Sequence, residues 1–169
     1  QATTEGTLSQ IYELTNPSVV NIQVISTISA NSNLPFSFPG MEDQQGTPQQ
    51  SGLGSGFVWD SQGYIVTNNH VVENATSIIV QFIDGREYSG ELIGADADSD
   101  LAVVKINAPE SDLKPLSVVS SDDVKAGDLA IAIGNPYGLS GMMTVGIVSA
   151  VGRSLTVDNG TTTGNYTIP

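Results

Sequence analysis

His70 is the only histidine among the 169 residues, and it follows the polar segment Thr67-Asn68-Asn69. An imidazole titrates near neutral pH, so this residue type serves as a general base, a general acid or a metal ligand. The apolar pair Val71-Val72 comes directly after it, which places His70 close to the end of a predicted strand, where catalytic groups are common. A lone histidine is also often structural, so the motif by itself leaves both roles open.

Three carboxylates alternate in the stretch Asp96-Ala97-Asp98-Ser99-Asp100, which leads into an apolar run. Alternating aspartates are a calcium-ligand pattern, but this stretch has no glycine between the carboxylates and no glutamate at the closing position. A solvated turn, in which the side chains bind nearby backbone, is the better interpretation for Asp96 and Asp98. Asp100 differs because it borders a strand that we expect to be buried, so it is a candidate site residue.

The composition excludes several classes of function. The chain has 5 Lys plus Arg against 18 Asp plus Glu, a net charge of −13, and such a surface repels nucleic-acid phosphates. It has no cysteine, which excludes disulfides, thiolate metal sites and a cysteine nucleophile. One histidine cannot form a multi-histidine zinc site. The turn Ile133–Leu139 lacks the glycine spacing and the Lys-Ser/Thr pair of a phosphate-binding loop, and we interpret it as structural.

Short runs rich in Val and Ile dominate the chain and predict β-strands. The predicted strands are Ser18–Ile28, Gly54–Trp59, Tyr64–Asn68, Ser77–Phe82, Glu87–Gly94, Leu101–Ile106, Asp128–Ile133 and Thr144–Val151. Helical periodicity is confined to residues 8–14. Residues 29–52, which hold three prolines and four glutamines, predict a long loop, and residues 155–169 have no clear core pattern. Many short strands with Gly-rich turns predict an all-β barrel or sandwich.

Six motifs occur in a fixed order along the chain. They are Gly54-Ser55-Gly56-Phe57-Val58, Thr67-Asn68-Asn69-His70-Val71, Asp84-Gly85-Arg86-Glu87, Ser99-Asp100-Leu101-Ala102-Val103, Gly134-Asn135-Pro136-Tyr137-Gly138 and Gly146-Ile147-Val148-Ser149-Ala150-Val151-Gly152-Arg153. As an ordered set they resemble the trypsin-like protease domain of the Deg/HtrA family of extracytoplasmic quality-control proteases. The resemblance extends from about Leu8 to Arg153. It implies that His70 is the general base and that Asp100 is the residue that orients it.

The same resemblance implies the fold class, an all-β, trypsin-like double β-barrel with the catalytic groups in the cleft between the barrels. We expect the first barrel to be complete and the second to be only partly present. The implied division is a short helix or arm at residues 1–16, a first barrel at 17–115 with a long loop at 29–52, and the first part of a second barrel at 116–169.

In this family the nucleophilic serine belongs to a Gly-Asn-Ser-Gly-Gly motif, which also supplies the oxyanion hole. That motif is absent from the 169 residues. The segment Gly52-Leu53-Gly54-Ser55-Gly56 is no substitute, since it precedes the histidine and matches a strand of the first barrel. The resemblance therefore places the serine beyond Pro169, and we expect the chain alone to be inactive.

The function implied is that of the N-terminal portion of a serine endopeptidase that degrades misfolded polypeptides outside the cytoplasm, whether periplasmic, secreted or membrane-anchored. The partners implied are unfolded polypeptides, further copies in a trimer, the remainder of the protease domain and a PDZ domain, with no nucleic acid, cofactor or metal. A non-catalytic polypeptide-binding or chaperone-like module, or a pseudoprotease, is the alternative. The presence of both His70 and Asp100 favours the protease.

Overall fold

The computed structural model describes residues 2–27, 49–134, 141–152, 154–158 and 163–167. The helices are α1 (Ala2–Thr15) and α2 (Asn69–Val72), with 3₁₀ turns at Asn16–Ser18 and Glu110–Asp112. The strands are β1 (Val19–Thr27), β2 (Gln49–Val58), β3 (Tyr64–Thr67), β4 (Ala75–Gln81), β5 (Glu87–Asp96), β6 (Leu101–Ile106), β7 (Leu129–Gly134), β8 (Met142–Ile147), β9 (Ser154–Asp158) and β10 (Thr163–Thr167).

The first six strands form a closed antiparallel barrel in the order β1-β2-β3-β6-β5-β4. The ring closes because β4 pairs with β1, where Ile22 lies opposite Val80. On its other side, β1 pairs with β2 from Val19 opposite Phe57 to Thr27 opposite Gln49. Closure gives every strand of the barrel a paired neighbour on both sides over at least part of its length. The prediction of an all-β fold with a complete first barrel is confirmed.

Branched aliphatic side chains fill the barrel because they alternate along each strand, and successive residues of a strand point to opposite faces. On β1 the inward residues Val20, Ile22 and Val24 are buried, and β6 repeats the pattern. The core members are Val20, Ile22, Val24, Val58, Ile65, Val72, Ile78, Val80, Phe82, Ala102, Val104, Ile106 and Leu113. Val72 belongs to α2, so this helix is part of the core that holds the site.

Two separate antiparallel pairs follow the barrel, β7 with β8 and β9 with β10. The pair β7–β8 exposes much of its apolar surface: Leu129, Met142 and Ile147 are 57%, 48% and 64% exposed. Two strands cannot cover a hydrophobic face by themselves. This is the partial second barrel that the resemblance implied, and the trypsin-like arrangement is confirmed.

The structure corrects the predicted starts of α1 and β2 and contains three elements that were not predicted. Helix α1 begins at Ala2, ahead of the apolar periodicity, because its first turns are polar and give no pattern. Strand β2 begins at Gln49, inside the predicted loop, because its polar and glycine residues pair with β1. Helix α2 and the strands β9 and β10 were not predicted. The rest of the predicted loop, residues 29–48, and the turn residues 135–139 lie outside the described residues.

Candidate active site

His70 lies on α2, a single helical turn that starts where β3 ends. Asn68 occupies the N-cap position in an extended conformation, with φ −81° and ψ 147°, and its side chain makes no bond to the helix backbone. On the other side of His70, Val72 is 1% exposed and packs in the barrel core. The segment Asn-Asn-His-Val-Val therefore follows the end of β3 and forms one helical turn. Its last residue packs in the core, which fixes the position of the imidazole.

Asp100 lies in the turn between β5 and β6 and has φ +52°, in the left-handed region that aspartate tolerates better than most residues. Asp96 builds this turn: its carboxylate accepts a bond from the backbone N–H of Asp98 at 3.0 Å and one from the Ser99 hydroxyl at 2.8 Å. Its pKa is lowered, chiefly by the Ser99 bond and then by the Asp98 N–H. This is the solvated aspartate turn expected for Asp96 and Asp98.

His70 and Asp100 are joined by two hydrogen bonds. The ring Nδ1 of His70 lies 2.7 Å from Oδ2 of Asp100, and the backbone N–H of His70 donates to Oδ1 at 2.9 Å. The imidazole side chain is 68% exposed and the carboxylate side chain 42% exposed. With Nδ1 on the carboxylate, the second ring nitrogen, Nε2, is the one available to an incoming group.

Asn68 completes the arrangement and was missed as a site residue by the sequence analysis. Its side-chain amide lies 3.1 Å from both Oδ2 and the carbonyl oxygen of Asp100. The carbonyl also accepts the backbone N–H of Asn69 at 3.1 Å. The left-handed backbone of Asp100 thus presents both its carbonyl and its carboxylate to residues 68–70. The feature of the sequence that could have identified Asn68 is an asparagine two residues before the histidine.

The carboxyl group of Asp100 has a lowered pKa. Partial burial is the largest single influence and raises the pKa. Four further influences lower the pKa and together outweigh burial: the backbone N–H, the ring and the charge of His70, and the amide of Asn68. Hydrogen bonds to a carboxylate stabilise its ionised form. Asp100 is therefore an anion at neutral pH, which is the state that can accept a proton-bearing Nδ1.

A cavity of about 440 Å³ lies beside this pair, between the outer face of the barrel, α1 and β7. Its wall includes Asn68 and Leu101, which flank the pair, and Ser55 on β2.

Within the described ranges, no three carboxylate or imidazole side chains are close enough together to hold a metal ion.

Comparison with protein families identifies the chain. The family described as "Trypsin-like peptidase domain" matches residues 54–168, more than half of the sequence. The chain belongs to the trypsin-like peptidase family. The match begins at β2 and includes the segments that carry His70 and Asp100.

The curated relatives of this trypsin-like domain are Deg and HtrA proteins, which confirms the resemblance drawn from the motifs. The "Periplasmic pH-dependent serine endoprotease DegQ" of Escherichia coli is 42% identical over 87% of this chain and 33% of its own length. "Protease Do-like 8, chloroplastic" of Arabidopsis thaliana is 38% identical over 95% of this chain and 37% of its own length. The chain thus spans about a third of the length of the curated relatives it matches.

Solved structures agree with this assignment. The "HtrA-type protease AlgW with decapeptide" superposes with a TM-score of 0.67 at 34% identity, covering 86% of this chain and 46% of that chain. The described part of our chain contains no helix long and apolar enough to cross a membrane.

Proposed function

We propose that the whole protein is a serine endopeptidase and that His70 and Asp100 are the base and the orienting acid of its catalytic triad. The observation that carries the proposal is the 2.7 Å contact between Nδ1 of His70 and Oδ2 of Asp100, on a ring that is 68% exposed. A paired ring that is open to solvent can serve a substrate.

The chemistry follows from the tautomer that this contact fixes. An ionised Asp100 accepts the proton of Nδ1, so Nε2 carries a free lone pair. In the proposed reaction Nε2 removes the proton from a serine hydroxyl as the oxygen attacks the scissile carbonyl. The carboxylate stabilises the imidazolium that results, and the same proton then passes to the departing amine. The lowered pKa of Asp100 supports this role because the carboxylate stays charged throughout.

The nucleophile in this proposal belongs to the whole protein rather than to these 169 residues, which contain no Gly-Asn-Ser-Gly-Gly motif. Backbone amides near that serine would stabilise the oxyanion of the tetrahedral intermediate.

We also propose the division into an arm at 1–16, a first barrel at 17–115 and the start of a second barrel at 116–169.

The substrates proposed are unfolded or misfolded polypeptides, and the site of action proposed is outside the cytoplasm. The names of relatives support this: DegQ and DegP of Escherichia coli are described as periplasmic endoproteases. AlgW, an HtrA-type protease, was solved with a decapeptide. Assembly into trimers and a C-terminal PDZ domain are further proposals that rest on family resemblance alone.

The experiment is proteolysis by the full-length protein. We expect it to hydrolyse an unfolded casein substrate and to be labelled by a fluorophosphonate on one serine, and we expect His70→Ala to abolish both. A protein that suppresses aggregation of unfolded substrates but is neither labelled nor hydrolytic would be a chaperone-like module, and the proposal would then be wrong.

A further inference from the structure

The inward face of β2 is built from glycine near the site. Glycines occupy positions 52, 54 and 56, and a spacing of two places them on one face of the strand. Gly56 is buried among Ile22 and Ile65 of the barrel, whereas Gly54 meets α2. The absence of side chains at this end of β2 leaves the space that α2 occupies.

Gly54 and Val71 are packed against each other. A methyl group at position 54 would lie 2.5 and 2.6 Å from the two Cγ atoms of Val71 and 3.1 Å from its Cβ. Ordinary van der Waals contact begins at 3.4 Å, so the nearer Cγ atom of Val71 would have to move by about 0.9 Å. Most of the clash is with the two Cγ atoms, and the Cβ must also give by a few tenths of an ångström, which rotation of the side chain cannot supply. The backbone of α2 would have to shift.

Such a shift would reach His70 at once, since it precedes Val71 in the same helical turn. The contact between Nδ1 and Asp100 is 2.7 Å, within the range of roughly 2.6–3.2 Å that proton transfer needs, so a shift of α2 changes this distance directly. The geometry points to Gly54 as a positioning residue, whose missing side chain sets the distance between His70 and Asp100. This inference deepens the proposed function and rests on it.

The test uses the fact that the chain has one histidine. The Nδ1 proton of a histidine bonded to a carboxylate gives a far-downfield NMR resonance, and here it can come only from His70. We expect the resonance in the wild-type chain, its loss in Gly54→Ala, and its return in Gly54→Ala/Val71→Ala, with Val71→Ala as the reference. Gly94→Ala is the matched control, since a methyl group at that barrel glycine meets no atom within 4 Å.

The outcomes separate this inference from the proposed function. A folded Gly54→Ala chain that keeps the resonance would overturn the inference, and so would a double variant as impaired as the single one. If Gly54→Ala unfolds and the double variant restores both fold and resonance, the Gly54–Val71 contact is supported. A wild-type chain without the resonance would instead contradict the His70–Asp100 pairing on which the proposed function rests. In the full-length enzyme, Gly54→Ala should lower kcat by about 10²-fold with little change in KM, and Val71→Ala should reverse much of that loss.

Discussion

Asp100 receives both the backbone N–H and the ring Nδ1 of His70, at 2.9 and 2.7 Å, one on each carboxylate oxygen. This two-point contact does more than a single bond between side chains. It fixes the imidazole relative to its own backbone, so the ring cannot rotate without breaking the arrangement. Asn68 and Asn69 bind the carbonyl of the same aspartate and hold the two chain segments together.

The first prediction concerns this carboxylate. Asp100→Asn in the full-length protein should lower kcat by about 10⁴-fold, because a neutral amide can donate to Nδ1 and stabilise the wrong tautomer. Peptide hydrolysis under saturating substrate measures the effect. Asp98→Asn is the matched control, since that residue is exposed in the same turn and we expect it to keep full activity. Equal losses from both substitutions would assign the effect to the turn rather than to the pairing.

The sequence predicted those parts of the molecule whose signals are local. Alternating Val and Ile residues predicted the barrel strands, and the ordered motifs implied a pair of His70 and Asp100, which the structure brings within 2.7 Å of each other. Sequence could not supply what depends on distant partners. The first residues of β2 are polar and form a strand only because Gln49 to Leu53 pair with β1. The left-handed conformation of Asp100 and the two bonds of the Asn68 amide likewise depend on a turn and a helix that meet only in the folded barrel.

A second prediction concerns acid stability. Asp112 accepts a hydrogen bond from the Tyr88 hydroxyl at 2.5 Å and forms an ion pair with Arg86, which also binds Asp84. The pKa of Asp112 is lowered, first by the Tyr88 bond and then by Arg86. The unfolded chain therefore binds this proton at higher pH than the folded chain does. The stabilisation is complete above the ordinary pKa of 3.8 and is lost as the pH falls through the lower folded value.

Asp112→Asn should accordingly lower Tm by a few degrees at neutral pH, and the difference from wild type should shrink as the pH drops below 3.8. Thermal melts between neutral and strongly acidic pH measure it. Asp123→Asn, at an exposed position outside this cluster, should have the same Tm as wild type at each pH. If the difference in Tm between Asp112→Asn and wild type stayed constant down to the most acidic pH, ionised Asp112 would not be the source of the stability.

A third prediction concerns Asn21 on β1. Its side chain is 1% exposed, and neither its amide nitrogen nor its oxygen has a hydrogen-bond partner in the described part of the chain. A buried polar group without a partner costs about 1–3 kcal/mol, whereas an apolar group of the same shape carries no such cost. Asn21→Leu should therefore raise the free energy of unfolding by about 1–3 kcal/mol in urea. Gln23→Leu, two residues along the same strand face and partly exposed, should change it much less. A loss of stability in Asn21→Leu would mean that the amide is paired after all.

The last prediction is that the 169-residue chain alone does not react with a fluorophosphonate probe. Such a probe needs a serine whose hydroxyl is activated by an adjacent base. Ser55, the serine within the Gly-rich segment, belongs to the barrel strand β2, and its carbonyl accepts a bond from Thr67 at 2.8 Å. We therefore expect it to be a structural strand residue rather than a nucleophile.

Adding in trans the Gly-Asn-Ser-Gly-Gly segment that we propose for the full-length protein should produce labelling on that segment, and His70→Ala in the 169-residue chain should prevent it. Mass spectrometry of the labelled peptides distinguishes the two chains. Labelling of the 169-residue chain by itself, at Ser55 or at another serine, would contradict the roles assigned here. It would mean that the partner of His70 is already present among these residues, and that the exposed imidazole serves a nucleophile on its own barrel.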